Sequence, residues 1–556
     1  MVISPYEARF ASSREWQLCS AKCPAVLNFQ EKRTNGNRPM TQPTLSRRGF
    51  LASGTALTAL AMGGFLPPIA RAQPEKVLRL RMDGDIKILD PGYMIGGIEI
   101  EAQKQCLPFL AQYKRDGDTI GWEPTYYVSK LEQRDPTHID FELVEGLNWS
   151  GGHGPLKASD VKFSYERMKK SEWAGYFEVL DHVEVTGERT GTIVLTKPFA
   201  PFFLVTLCHG PGAILCERAV TEAGGRFTTQ FPAVCGPYLF SNAPGQAATF
   251  LPNPDWSGPK PEFDRVQAKI ITQVKATELA YEAGELDCTQ IDSDAVARYR
   301  AGPPPGSELT KAGELNFMWL GMNSEHPKLH DIRVRRAIQH AVDVDSIIAA
   351  AYSNVATKSC GIICPGLIGH RTETKFYTYD PAKARELLAE AGVNGLKLSL
   401  RTLNTQQPML VAQIVQANLG AVGITLEVIP LDAGPFWEMG MESAGDTWKD
   451  LELWTMRFGS VPDPYEASQW FVSSQVGNWN WERWTNPEYD SLVEQGIAES
   501  NPEKRNDIYL RLQEIMEETG AYVWLCHEPR YYVHRSDISV NVSPSGQQDY
   551  RLFTVI

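Results

Sequence analysis

The sequence carries no G-x-S-x-G elbow, no H-E-x-x-H pair, no P-loop and no dinucleotide-binding glycine fingerprint. Those motifs place a nucleophile, a zinc ligand pair or a phosphate cradle beside a helix, so the common hydrolase, metalloprotease, NTPase and dehydrogenase frames lose their support. Histidine is scarce, 10 in 556 residues, and none stands at zinc-ligand spacing with cysteine. Basic charge is in deficit: 54 Lys+Arg face 67 Asp+Glu, a formal net charge of −13. A surface of that sign repels nucleic acid and anionic lipid. There is no internal repeat and no low-complexity tract. The one extended apolar run, Ala52 to Ile69, is broken by Gly54, Gly63, Gly64, Pro67 and Pro68, too short and too interrupted for a good transmembrane helix. What remains is an ordinary soluble composition, 43% apolar and 22% charged, in a chain too long for one core.

Ser46, Arg47, Arg48, Gly49, Phe50 and Leu51 precede that run, and Ala70-Arg71-Ala72 follows it. Arginine pair, weak apolar run and small-x-small site together predict a twin-arginine export signal over 40–72, with the mature chain beginning at Gln73 in the periplasm. Residues 1–39 have neither signal nor core pattern, so Met40 is the expected start. Removing residues 1–72, with nine basic and three acidic residues, takes the net charge to −19. Eight of ten cysteines remain, and an oxidising compartment favours pairing. Cys360 with Cys364, and two of Cys208, Cys216 and Cys235, are the disulfide candidates.

The stretch the chain is organised around is Asp450 to Phe471. Leu451 to Phe458 reads as an apolar strand, and Gly459 to Pro464 ends it in a loop. Seven of fourteen tryptophans (Trp437, Trp448, Trp454, Trp470, Trp479, Trp481 and Trp484) fall in this neighbourhood. Ligands bind where strands of open α/β sheets run out, so the stretch predicts a cleft wall. Trp437 and Trp448 are expected in the core, and Trp454 and Trp470 at the cleft. Elsewhere, Val77 to Met82 alternates as a strand, and Ile98 to Tyr113 reads as a helix. Ser159 or Asp160 caps another helix, with Val161, Ser164, Tyr165 and Met168 on one face. Asp331 caps an amphipathic helix through Val342, and Asp380-Pro381 opens one that Gly392 closes. Strand Leu396–Leu403, helix Met409–Leu419 and strand Thr425–Leu431 form a βαβ unit, so part of the sheet is parallel. Short strands are expected at Leu315–Met322 and Tyr522–Leu525.

These segments, in this order, resemble the large periplasmic solute-binding proteins of ABC importers that take dipeptides, oligopeptides, opines and nickel complexes (family 5). The residues that carry the resemblance are Phe141 to Met168, Cys235 to Phe240, Asn316 to Ile347, Tyr379 to Gly392 and Trp454 to Phe471. It implies an α/β, bilobal periplasmic-binding-protein fold of the large peptide-binding class. Lobe one would be 73–317 plus 521–556, with an extra subdomain over about 108–235, and lobe two 318–520. It implies a monomer that closes on a small-molecule or short-peptide ligand and docks on ABC permease subunits, with no cofactor and no catalysis. The peptide-binding members carry an aspartate in a W-x-x-D strand for the peptide's ammonium. Here that position is Arg457, whose guanidinium suits carboxylate or phosphate, which points to an opine-like or anionic sugar-conjugate ligand. Arg457, Trp454, Phe458, Asp463, Tyr465 and Trp470 are the expected ligand contacts. Set against this, Arg457 could neutralise Asp450 or Glu452, and Asp463 and Glu466 could stabilise their turn. His527 and His534 lie seven residues apart on opposite faces of a strand, which favours structural histidines over a metal site. Alternatives are an oligosaccharide receptor of the same fold, with tryptophans stacked on sugar rings, and an exported hydrolase.

Overall fold

The computed structural model describes residues 75–94, 96–117, 119–459 and 461–556. The expected export signal, its cleavage site, the start at Met40 and the first two cysteines lie outside them. Alternation in Val77–Met82 buries Leu78, Leu80 and Met82 on one face of a strand, as a period of two requires. That strand pairs in parallel with Arg265–Ile270, and the sheet continues antiparallel through Ala247–Pro252 to Tyr238–Ala243. A second, antiparallel sheet runs Val128–Asp135, His138–Leu143, Thr190–Leu195, Leu180–Val185. The helix Ala158–Met168 packs beside it and buries the expected Val161, Ser164, Tyr165 and Met168. Its cap is Lys157 rather than Ser159 or Asp160. Asp160 acts from the first turn, accepting from the Lys157 amide at 3.0 Å and from Trp149 Nε1 at 3.0 Å. Both sheets share one hydrophobic core.

A seven-stranded mixed sheet builds a second core. Its order is Cys288–Ile291, Tyr522–Arg535, Ser307–Met322, Leu453–Gly459, Lys397–Leu403, Thr425–Leu431, with Thr357–Lys358 paired to Tyr522–Arg535. The predicted βαβ unit is present, its two strands parallel and its helix spanning Gln406–Ala421. That helix begins before Met409 because Pro408 stands in its first turn, where its missing N–H is no loss. Asp331 caps Ile332–Ala341 and Asp380 caps Pro381–Glu390 through their carboxylates, and Gly392 takes φ +69° beyond the latter's end.

Three expectations are corrected. The helix at Ile98 ends at Cys106, because Leu107 before Pro108 is extended; Ala111–Asp116 is a strand. The strands expected at Leu315–Met322 and Tyr522–Leu525 run to 16 and 14 residues, Ser307–Met322 and Tyr522–Arg535. The eight described cysteines, the candidates Cys208, Cys216, Cys235, Cys360 and Cys364 among them, are buried and unpaired. Burial in the two cores pushes the thiols of Cys208, Cys235 and Cys364 up, away from the thiolate that exchange requires.

A buried carboxyl joins the second core's layers. Glu482 is 1% exposed, accepts from Trp319 Nε1 at 2.7 Å, and is pushed up to about 8 by burial. Gly321 opposite has no room for a Cβ, which would meet the Trp454 indole at 2.4 Å and Glu482 Oε1 at 2.6 Å. A folded-state pKa above the unfolded value of 4.5 gives stability that is fully present below 4.5 and lost as pH rises through about 8. Glu482→Gln is therefore expected to gain on the wild type by roughly 1.4 kcal/mol per pH unit across that window. Urea denaturation at pH 5, 7 and 9 checks this, and a difference that stays flat with pH contradicts it.

Candidate functional site

Between the two cores lies a cavity with about 110 Å³ open to the centres of water molecules, space for a small solute rather than a single water. One wall is the start of the helix Gly97–Cys106, with Gly97 and Ile100. An aromatic wall holds Trp173, Tyr176 and His209, and opposite stand Leu315 and Asn316 of the long strand Ser307–Met322. Gly459, Val461 and Glu466 come from the loop after Leu453–Gly459; Arg530, Ser545 and Gln547 close the far end.

Two of these groups are electrostatically set. Glu466 is 4% exposed, held by Gln469 Nε2 at 2.7 Å, and raised to about 7 by burial and then by the charge of Asp463. It can therefore offer a carboxylate to a cationic group, or a hydroxyl to an acceptor. His209 lies parallel to Tyr176 at 5.6 Å, and burial, helped by the Lys104 charge, lowers it to about 3. It is neutral at physiological pH, and its buried Nδ1 has no partner among the described residues.

The expected stretch does reach the cavity, but through Gly459, Val461 and Glu466. Trp454, Phe458 and Trp470 are interior, at 0%, 0% and 4% exposure. The Trp454 indole packs against Trp481, Phe458 against Trp319 and Trp470 against Trp479, so the expected aromatic cleft wall is core. Trp448, expected in the core, instead stacks on the Arg483 guanidinium at 3.8 Å near the surface. Asp463 is 1% exposed and saturated: it caps Pro464–Ser468 and grips Arg505 through both oxygens at 2.8 and 2.9 Å. That is the turn role. Arg457 is neutralised by Glu528 Oε2 at 2.8 Å, not by Asp450 or Glu452, and its guanidinium does not line the cavity. Tyr465 packs between the cores, edge-on to Phe199 at 5.5 Å. His527 is buried in the long C-terminal strand, and His534 Nε2 lies 2.9 Å from Thr310 Oγ1.

Sequence reasoning missed Trp173, Tyr176, His209 and Asn316, which no spacing links to residue 459. It passed over Arg530, whose signal was a cation at the end of a Glu-Pro-Arg run in a strand.

An α/β body with a solute-sized cavity between two cores is the architecture of a bilobal solute-binding protein. Residues 123–479 match the bacterial extracellular solute-binding proteins, family 5 Middle, and the chain belongs to that family. It is 23% identical to the dipeptide-binding protein of Escherichia coli K12 over 91% of this chain and 98% of that one. It is 26% identical to the probable D,D-dipeptide-binding periplasmic protein DdpA of the same organism, over 84% and 92%. The fold matches HbpA2 from Haemophilus parasuis with a TM-score of 0.75 at 22% identity, covering 86% and 99% of the two chains. Among the described residues no helix is long and apolar enough to cross a membrane.

Removing one member of a buried, bidentate pair leaves an uncompensated charge. Asp463→Ala strands Arg505, itself 6% exposed, and is expected to lower stability by about 3–5 kcal/mol. Denaturant unfolding measures this, and a loss below about 1 kcal/mol contradicts the pairing.

Proposed function

We propose that the protein is a non-enzymatic periplasmic receptor. It captures a peptide-like or opine-like, acid-bearing solute in the cavity between its lobes and delivers it to ABC permease subunits in the inner membrane. The observation that carries this is the cavity itself, which joins an aromatic wall, a buried carboxyl at Glu466 and the Arg530 guanidinium between two separate cores. The lobes are 73–317 with 521–556, and 318–520. A solute that touches both walls only in the closed form shifts the population toward closure, and a permease can read that shift. Export by the twin-arginine route, with Gln73 as the first mature residue, follows from the Arg47-Arg48 signal, and the working form is a monomer. The parallel Tyr176 and His209 rings also suit a sugar ring, which keeps a sugar conjugate within the proposed class.

Native mass spectrometry of the protein purified without denaturation tests the reading. The expected result is a small solute released chemically unchanged. Recovery of a cleaved or otherwise converted molecule would favour a hydrolase. For a solute bearing an ammonium, affinity falls as pH drops through about 7, because Glu466 takes up a proton and loses its charge. Titration calorimetry between pH 5.5 and 8.5 should show this in the wild type. Glu466→Gln should bind about ten-fold more weakly at the upper end and show no such slope. A slope that persists in the variant would place the titrating group elsewhere.

A further inference from the structure

The cavity has a neighbour. A second, polar cavity, with about 90 Å³ open to the centres of water molecules, lies on the other side of Arg530, bounded by Arg81, Glu101, Gln290 and Gln548. Arg530, Gly97 and Gln547 line both spaces. Arg530 therefore stands at the partition.

Its guanidinium makes no ion pair and no hydrogen bond among the described residues. Other arginines of the body are engaged. Arg457 is held by Glu528 at 2.8 Å, Arg81 donates to the Ile271 carbonyl at 2.8 Å, and Arg551 is held by Asp549 through Nε at 2.7 Å. In so acidic a chain a half-buried guanidinium without a counter-ion is costly until an anion arrives. The backbone makes room for it: Gly546 takes φ +93°, and a Cβ there would sit 2.4 Å from Arg530 Nη1.

Each chamber also holds a buried polar atom without a partner among the described residues. Gln548 is 5% exposed, lines the polar chamber, and its Oε1 has no partner among the described residues. Glu101 beside it accepts from the Gln548 amide at 3.0 Å and the Tyr550 hydroxyl at 2.9 Å. In the larger chamber the unpartnered atoms among the described residues are His209 Nδ1 and Ser545 Oγ. Buried polar atoms of this kind are matched by hydrogen-bonding groups on whatever fills the space.

We propose that Arg530 is the anion anchor of a two-chamber site and that the captured solute is elongated. A carboxylate or phosphate would sit at the partition on Arg530. A ring or apolar portion would lie against Trp173 and Tyr176, and a hydrogen-bond-donating head would reach Gln548 and Glu101. This rests on the receptor reading and adds to it the ligand's charge layout, its length and the residue that selects it. The planar fork of Arg530 matches both acids bidentately.

The test incubates the mature protein with the small-molecule fraction of yeast extract, then desalts it and reads occupancy by native mass spectrometry and the released solute by fragmentation. The expected wild-type result is one dominant solute bearing a carboxylate or phosphate, which the fragmentation tells apart. Arg530→Gln should lower its occupancy about ten-fold or more, and Arg530→Lys, which keeps the charge without the fork, about three-fold. Gln548→Leu should lower it as well, and all three variants should melt with the ligand-free wild type. Capture of a solute with no acidic group, or equal occupancy in Arg530→Gln, overturns the anchor while leaving a receptor. A wild type that takes up nothing overturns the receptor reading itself.

Discussion

The pairing of Ser307–Met322 with Tyr522–Arg535 is the constraint on which the site depends. The two strands serve both cores: Ala312 and Tyr532 pack in the first, and Leu315 to Met322 and Tyr522 to Cys526 in the second. Their register shifts between Lys311 and Gly313 and again between Gly313 and Asn316, so that Gly313 faces Arg530 and Asn316 faces Glu528. Bulges of this kind re-aim side chains. Here Asn316 and Arg530 both line the cavity. Gly313 also admits the turn at residues 543–548, since a Cβ there would meet the Pro544 carbonyl oxygen at 2.3 Å. That turn brings Ser545 and Gln547 to the cavity's end. One irregularity in one strand pair thus sets several parts of the site.

Charge is distributed around this frame by burial. The carboxylates and guanidiniums that hold the body together are paired inside it: Asp463 with Arg505, Glu517 with Arg371 at 2.6 Å, Glu528 with Arg457. Arg335 is buried too, spending its donors on the carbonyls of Leu329, His330 and Thr519. Glu466 and Arg530, which have no oppositely charged partner among the described residues, face the cavity. A group whose field is cancelled inside the fold has little left for a solute, whereas an uncancelled one in a partly desolvated cleft interacts strongly.

Much of the fold was legible because its signals are local. Carboxylate caps at Asp331 and Asp380 and the buried face of Ala158–Met168 are each written within about a dozen residues, and each of the three segments of the βαβ unit carries its own local pattern. The strand Tyr522–Arg535 runs on through Pro529, which its bulged pairing with Ser307–Met322 tolerates. The organising stretch reaches the cavity through Gly459, Val461 and Glu466, while its aromatics turn inward. Tryptophans at Trp454, Trp470, Trp479 and Trp481 read as a cleft wall, but so much apolar area is worth more in a core, and they were buried there. The partner of Arg457 lies 71 residues away, and the aromatic wall comes from residues 173–209. Nothing in a linear pattern links either to the loop at Gly459.

The central claim is that the space between the cores, and not the Arg457 strand, holds the solute. A crystal structure of the protein carrying the solute it captures tests this most directly. The account predicts density between the Trp173–Tyr176 wall and Glu466, with an acidic group within hydrogen-bonding distance of Arg530 and the Arg457–Glu528 pair intact. Density seated on an Arg457 that has let go of Glu528, with Arg530 untouched, would contradict it.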